Sequence, residues 1–263
     1  MNSPAESFQL LGTLVFVSVS AVVGVRLVRL SGRSGARPEL YLGLGILGTA
    51  VFGYGFQIAS VIARGDAFAP DPSRMAVALT FFGKLLHDAG VTMILAFVLV
   101  VFRPGDRRAQ VAFAVLCAML WSGMIGLGPT GGYRDLLIKN PWWWLEYAVI
   151  WTYPLWPAFE SFRYWGMMRR RRKLGMADPL TTNRFFLWGL ASLGTFLAVA
   201  VTSFPMLLER EAMLALETAS RVTTAAIGLC TVAIYALAFF PPAPYRRFLA
   251  RADAPPAGEA QAV

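Results

Sequence analysis

The chain has 263 residues, 57% of them hydrophobic and 15% charged, with a formal net charge of +9. A soluble domain carries about 25% charged residues. Here the apolar residues gather in runs of about 20, the length a helix needs to cross a hydrocarbon core of ~30 Å. A soluble globular protein is thereby excluded, and the lack of a ten-residue alternating pattern excludes a membrane β-barrel.

The predicted fold is all-α: a polytopic bundle of seven transmembrane helices over residues 1–240, followed by a basic, Pro-rich cytoplasmic tail over 241–263. The predicted spans run from Phe8 to Leu30, Leu40 to Ala63, Ala76 to Phe102, Val111 to Leu127, Trp142 to Met168, Phe185 to Phe204 and Ala219 to Phe240. Four arginines cluster at the end of the first span and just beyond it, and no positive charge precedes it, the reverse of a cleaved signal peptide, so this span is expected to be retained. One set of joints holds Arg26, Arg29, Arg33, Arg37, Arg103, Arg107, Arg108, the run Arg169 to Lys173, Arg184, Arg246, Arg247 and Arg251. The opposite set holds Arg64, Arg74, Arg134, Lys139, Arg210 and Arg221. Sixteen cations against six place the N-terminus outside and the C-terminus in the cytoplasm. The expected location is a plasma membrane (the inner membrane of a bacterium), with anionic headgroups on the cytoplasmic side as the partner of the basic joints. Nothing in the charge calls for nucleic acid.

The second span is rich in glycine, at Gly43, Gly45, Gly48, Gly53 and Gly55, which lets helices approach closely. The third carries FFGKLLHDAGVTMIL, in which Lys84, His87 and Asp88 fall at i, i+3 and i+4 on one helical face. A charge at a span's centre costs about 2.5–3.5 kcal/mol, so such residues are candidates for function. Helical rise puts His87 and Asp88 near the midplane and Lys84 about 7 Å toward the outside. Gln57 of the second span reaches a similar depth, with Glu146 and Tyr147 entering from the fifth and Arg221 and Thr224 from the seventh. The candidate polar site is therefore Lys84, His87, Asp88, Gln57 and Glu146. Lys84 and Asp88 could instead neutralise each other across one turn as interhelical glue.

In the fifth span, Trp142, Trp143 and Trp144 are expected to anchor the outer interface. Pro154 and Pro157 are expected to kink the helix. Glu160 and Arg163 form a second polar pair, nearer the cytoplasm. The two cysteines, Cys117 and Cys230, lie within spans, where neither a disulfide nor a metal site is expected. One histidine and one aspartate fall short of a zinc ligand set, no nucleophile elbow is present, and no cofactor is predicted. After the last span, PPAPYRRFLAR reads as a helix stop and a short basic amphipathic helix, and ADAPPAGEAQAV as a disordered tail.

Seven spans with an external N-terminus resemble rhodopsins and SWEET-type sugar transporters in topology. Residues 219–240 lack the retinal-bearing lysine of the first, and the first three spans lack the membrane-centre prolines of the second. The segments RPELYLGLGILGTAVFGYG (Arg37 to Gly55) and AFFPPAPYRRFLA resemble uncharacterised bacterial seven-helix membrane proteins and the seven-helix input regions of some sensor kinases. That resemblance implies a sensor- or receptor-like module, here without its own output domain, and no catalytic residue. A small transporter or proton-coupled carrier and a structural subunit of a membrane complex are the alternatives.

Overall fold

The computed structural model describes residues 4–65, 71–136, 139–208 and 210–251. The predicted disordered tail, residues 252–263, lies outside the described residues. Those described are helical, with no strand among them. In chain order they form α1 (Pro4–Ser34), α2 (Arg37–Ile46), a π-helical stretch (Leu47–Gly53), α3 (Tyr54–Arg64), α4 (Arg74–Phe102) and α5 (Arg107–Leu127). Then follow α6 (Pro141–Thr152), α7 (Leu155–Lys173), α8 (Pro179–Ser203), a short 3-10 turn (Pro205–Leu207), α9 (Arg210–Phe239) and α10 (Ala243–Arg251).

Local chemistry accounts for the boundaries. Asp106, Asn140 and Asp178 cap α5, α6 and α8 by accepting from Ala109, Trp143 and Thr181 backbone N–H groups at 3.3, 2.9 and 2.7 Å. Pro141 and Pro179 follow two of those caps, at positions where a missing N–H costs nothing. Gly35 and Gly65, with φ of 69° and 74°, end α1 and α3 in the left-handed region that glycine enters freely.

Six helical segments are long and apolar enough to cross a membrane: Ser7–Ser34, Arg37–Arg64, Arg74–Phe102, Arg107–Leu127, Pro179–Leu207 and Glu211–Phe239. The predicted span from Trp142 to Met168 differs. It is two helices, of 12 and 19 residues, parted by a turn at Tyr153 and Pro154. Pro154 cannot donate to Ile150 nor Pro157 to Tyr153, so two consecutive turns of the ladder lose a bond. The expected kink is thus a break, and α6 by itself, about 18 Å long, is too short to cross a bilayer.

Close packing rests on glycine. A Cβ at Gly43 would lie 2.9 Å from the Gly24 carbonyl oxygen on α1, and one at Gly48 would lie 2.7 Å from Gly90 Cα on α4. One at Gly53 would lie 2.7 Å from His87 Cβ, whereas Gly55 faces open space. Gly48 and Gly53 are five residues apart. In a regular α-helix they would point in different directions, but the wider π turns turn both toward α4.

Apolar packing is layered along the bundle. At the end holding the α4 C-terminus, Val23, Leu27, Leu42, Ile46, Phe97, Val98 and Phe102 form a buried cluster, flanked by Phe185, Trp188 and Phe239. Val91, Leu95, Leu120, Val149, Ile150 and Tyr153 fill the middle. At the other end Leu127, Tyr133 and Trp143 pack with Tyr147. Of the three tryptophans expected at the interface, Trp142 and Trp144 are exposed, but Trp143 is buried and stacks on Tyr147 at 4.0 Å. The basic helix α10 forms as predicted and is tied to α8 by Asn183 Nδ2, which donates to Tyr245 Oη at 2.8 Å.

Candidate functional site

The glycine contacts bring α3 and the π-helical stretch against the face of α4 that carries Lys84, His87 and Asp88. From the other side comes α6, held close to α5 because Gly123 lacks a side chain: a Cβ there would lie 2.8 Å from Glu146 Cβ. Glu146 thereby reaches Lys84, with Nζ to Oε1 at 2.5 Å. The carboxylate is 2% exposed, and the lysine also lies 5.9 Å from the centre of the Tyr147 ring. Asp88 is fully buried and sits beside His87, with Nδ1 to Oδ1 at 3.1 Å. The tautomer with its proton on Nδ1 donates to the Asp88 carboxylate and leaves Nε2 as an acceptor. The Tyr153 ring meets the imidazole edge-on at 6.5 Å.

Both carboxylates keep one oxygen, Glu146 Oε2 and Asp88 Oδ2, buried and without a hydrogen-bond partner in the protein. The predicted Lys84–Asp88 neutralisation across one turn is not what forms: lysine takes Glu146, and aspartate takes histidine. The physical reason is direction. A cation placed N-terminal to an anion at i, i+4 is the weaker order, and Glu146 offers Lys84 a shorter approach from a separate helix.

These groups border a cavity of about 380 Å3. Gln57, Lys84, His87 and Glu146 line it, while Asp88 stands behind His87 as its buried partner. Four of the five predicted site residues thus share one wall. The lining reaches Gln9 near the start of α1, Thr202 and Ser203 at the end of α8, and Arg221 of α9, where α1, α8 and α9 share one end of the bundle. Inward it stops at Val23, Ile46 and Pro157, where the apolar cluster of α1, α2 and α4 begins. Arg221 at the rim is already paired with Glu217, one turn away. The sequence reading missed the aromatic lining of Phe16, Tyr54, Tyr153 and Tyr235. Isolated aromatics in an apolar span look like core, and no local pattern sets them apart.

The second predicted pair is assembled differently. Glu160, 1% exposed, accepts from Arg163 Nη1 at 3.4 Å, as expected, but its closer partner is Arg103 Nε at 2.6 Å. Arg103 also lies 3.6 Å from Asp106. In sequence it reads as one more basic joint residue, and folding turns it back across the end of α4 to α7. Arg64, another residue assigned to a joint, is buried. It donates to the Tyr133 and Arg134 carbonyls at 2.7 and 2.8 Å and to Thr80 Oγ1 at 3.0 Å, which ties α3, α4 and the loop after α5 together. Among the described residues no group of three or more His, Cys, Asp or Glu side chains is placed to hold a metal ion.

Compared with models of protein families, with curated proteins and with solved structures, the chain has no match in any of the three.

Proposed function

We propose that the chain is a seven-span receptor-like module of a bacterial inner membrane that binds a small molecule in the α4–α6 cavity and signals through a separate partner. In this reading α6 and α7 together make the seventh crossing, completing the six long apolar segments. The basic joints face the cytoplasm and its anionic headgroups, and the N-terminus is outside. The end of the cavity lined by Gln9 and Arg221 is then the outer one, because both residues belong to the end with few cations.

The observation that carries the reading is a cavity on whose wall polar groups from α3, α4 and α6 converge beside apolar and aromatic lining. A pre-formed pocket of a few hundred Å3 with apolar walls and a few placed polar groups is the usual form of a small-molecule site. An apolar cluster behind Val23 and Ile46 closes the cytoplasmic side, as suits a receptor better than an open pore. A carrier is the second reading, favoured by the broken α6–α7 segment and the π-helical stretch that flank the cavity, since interrupted helices mark many transport sites.

The test is site-directed labelling in a Cys117→Ser, Cys230→Ser background. Single cysteines at Thr13 and Thr224, both on the cavity wall, are expected to react with a membrane-impermeant thiol reagent added from outside. Protection of both positions from the outside reagent sinks the reading. Solute flux through the purified protein in liposomes would move the assignment from receptor to carrier.

A further inference from the structure

We infer that the cavity recognises a small organic amine in its protonated, N–H-bearing form, an inference that rests on the cavity being the ligand site. Lys84 is already committed to Glu146 Oε1, while Glu146 Oε2 is buried, partnerless and on a residue of the cavity wall. The His87 tautomer that donates from Nδ1 to Asp88 presents an acceptor at Nε2. The buried partnerless atom on the wall is therefore an acceptor, and a ligand must bring a donor to satisfy it.

Charge points the same way. Two carboxyl groups, Glu146 and Asp88, stand against one ammonium, Lys84, and the Asp88 Oδ2 atom behind the wall has no hydrogen-bond partner either. A cation gains from that surplus and an anion is repelled by it. The remaining wall gives the ligand its organic part. Phe16, Tyr54, Tyr153 and Tyr235 supply ring faces, which attract ammonium groups and pack against hydrocarbon. A bare metal ion or ammonium would leave those rings unused. A quaternary ammonium would suit the rings but has no N–H for Glu146. The class that uses every feature is a primary or secondary ammonium on a short hydrocarbon or aromatic body.

Titration calorimetry on the full chain in lipid nanodiscs tests this with benzylamine, 2-phenylethylamine and hexylamine as probes. Each is compared with the matching alcohol, carboxylate and trimethylammonium compound. At least one amine is expected to bind ten or more times tighter than all three of its counterparts. Glu146→Gln is expected to weaken that amine by tenfold or more. Equal or tighter binding of a carboxylate or trimethylammonium probe overturns the inference, as does binding by none of the amines. Should the variant fail to insert, the wild-type comparison decides alone. Outside labelling at Thr13 and Thr224 together with no amine binding would reject the ligand class and leave the cavity reading standing.

Discussion

Glu146 and Glu160 are buried carboxylates on the two halves of one broken segment, 2% and 1% exposed. They differ in how fully they are satisfied. Glu160 gives one oxygen to Arg103 and the other to Arg163, so its capacity is used up within the protein. Glu146 gives one oxygen to Lys84 and keeps the other partnerless. The first arrangement is a clamp between the end of α4 and α7. The second has the unmet demand expected of a site. Burial and residue type are the same in both, so neither is what separates them; the count of partners is.

Three substitutions bear on that comparison, taken from the largest effect to the smallest. Gly53→Val puts a branched side chain where even a Cβ would meet His87 Cα and Cβ at 2.8 and 2.7 Å. Overpacking of this kind costs about 3 kcal/mol. Chemical denaturation should show the loss, and amine binding should fall with it because His87 is pushed off the cavity wall. Glu160→Gln should cost about 2 kcal/mol, less than most broken buried pairs, because Arg103 is 28% exposed and retains Asp106. Its amine binding should match the unmodified protein, and a loss of binding would mean the two clusters are coupled. The paired change Lys84→Met with Glu146→Leu should alter stability by no more than about 1 kcal/mol, since well-packed apolar residues replace buried ion pairs at little cost. Binding should nonetheless vanish. Strong destabilisation of that double variant would show that the Lys84–Glu146 cluster, too, is a clamp.

Much of this was legible in the sequence, for reasons that lie in residue spacing. The run from Ala76 to Phe102 predicted a helix that spans Arg74–Phe102, because an apolar stretch bounded by Ser73 and Pro104 has few ways to end elsewhere. Helical rise put Lys84 and Glu146 at one depth, and they meet. Partner choice was less legible. Arginine is long enough to reach back from a helix end, so Arg103 and Arg64 counted as topological charges although both are built into the bundle. The break at Tyr153 and Pro154 was visible as prolines but not in its extent. The π-helical stretch had no local signature, since its residues are compatible with a regular helix and only the glycine contacts with α4 favour the wider turns.

That stretch makes the second long apolar segment one residue richer than a regular helix presenting the same glycines would be. A π turn is equivalent to a single inserted residue accommodated without breaking the helix. Removing one residue between Leu47 and Gly53, Ala50 for instance, would let the segment relax to regular α geometry with the two glycines four apart and still facing α4. The segment would keep nearly the same length, because a π turn holds its extra residue within about the rise of one α turn, and Ala50 would go from the cavity lining. In most membrane helices a deletion rotates everything beyond it out of register. Here it would leave the helix pair intact and change mainly the volume of the cavity.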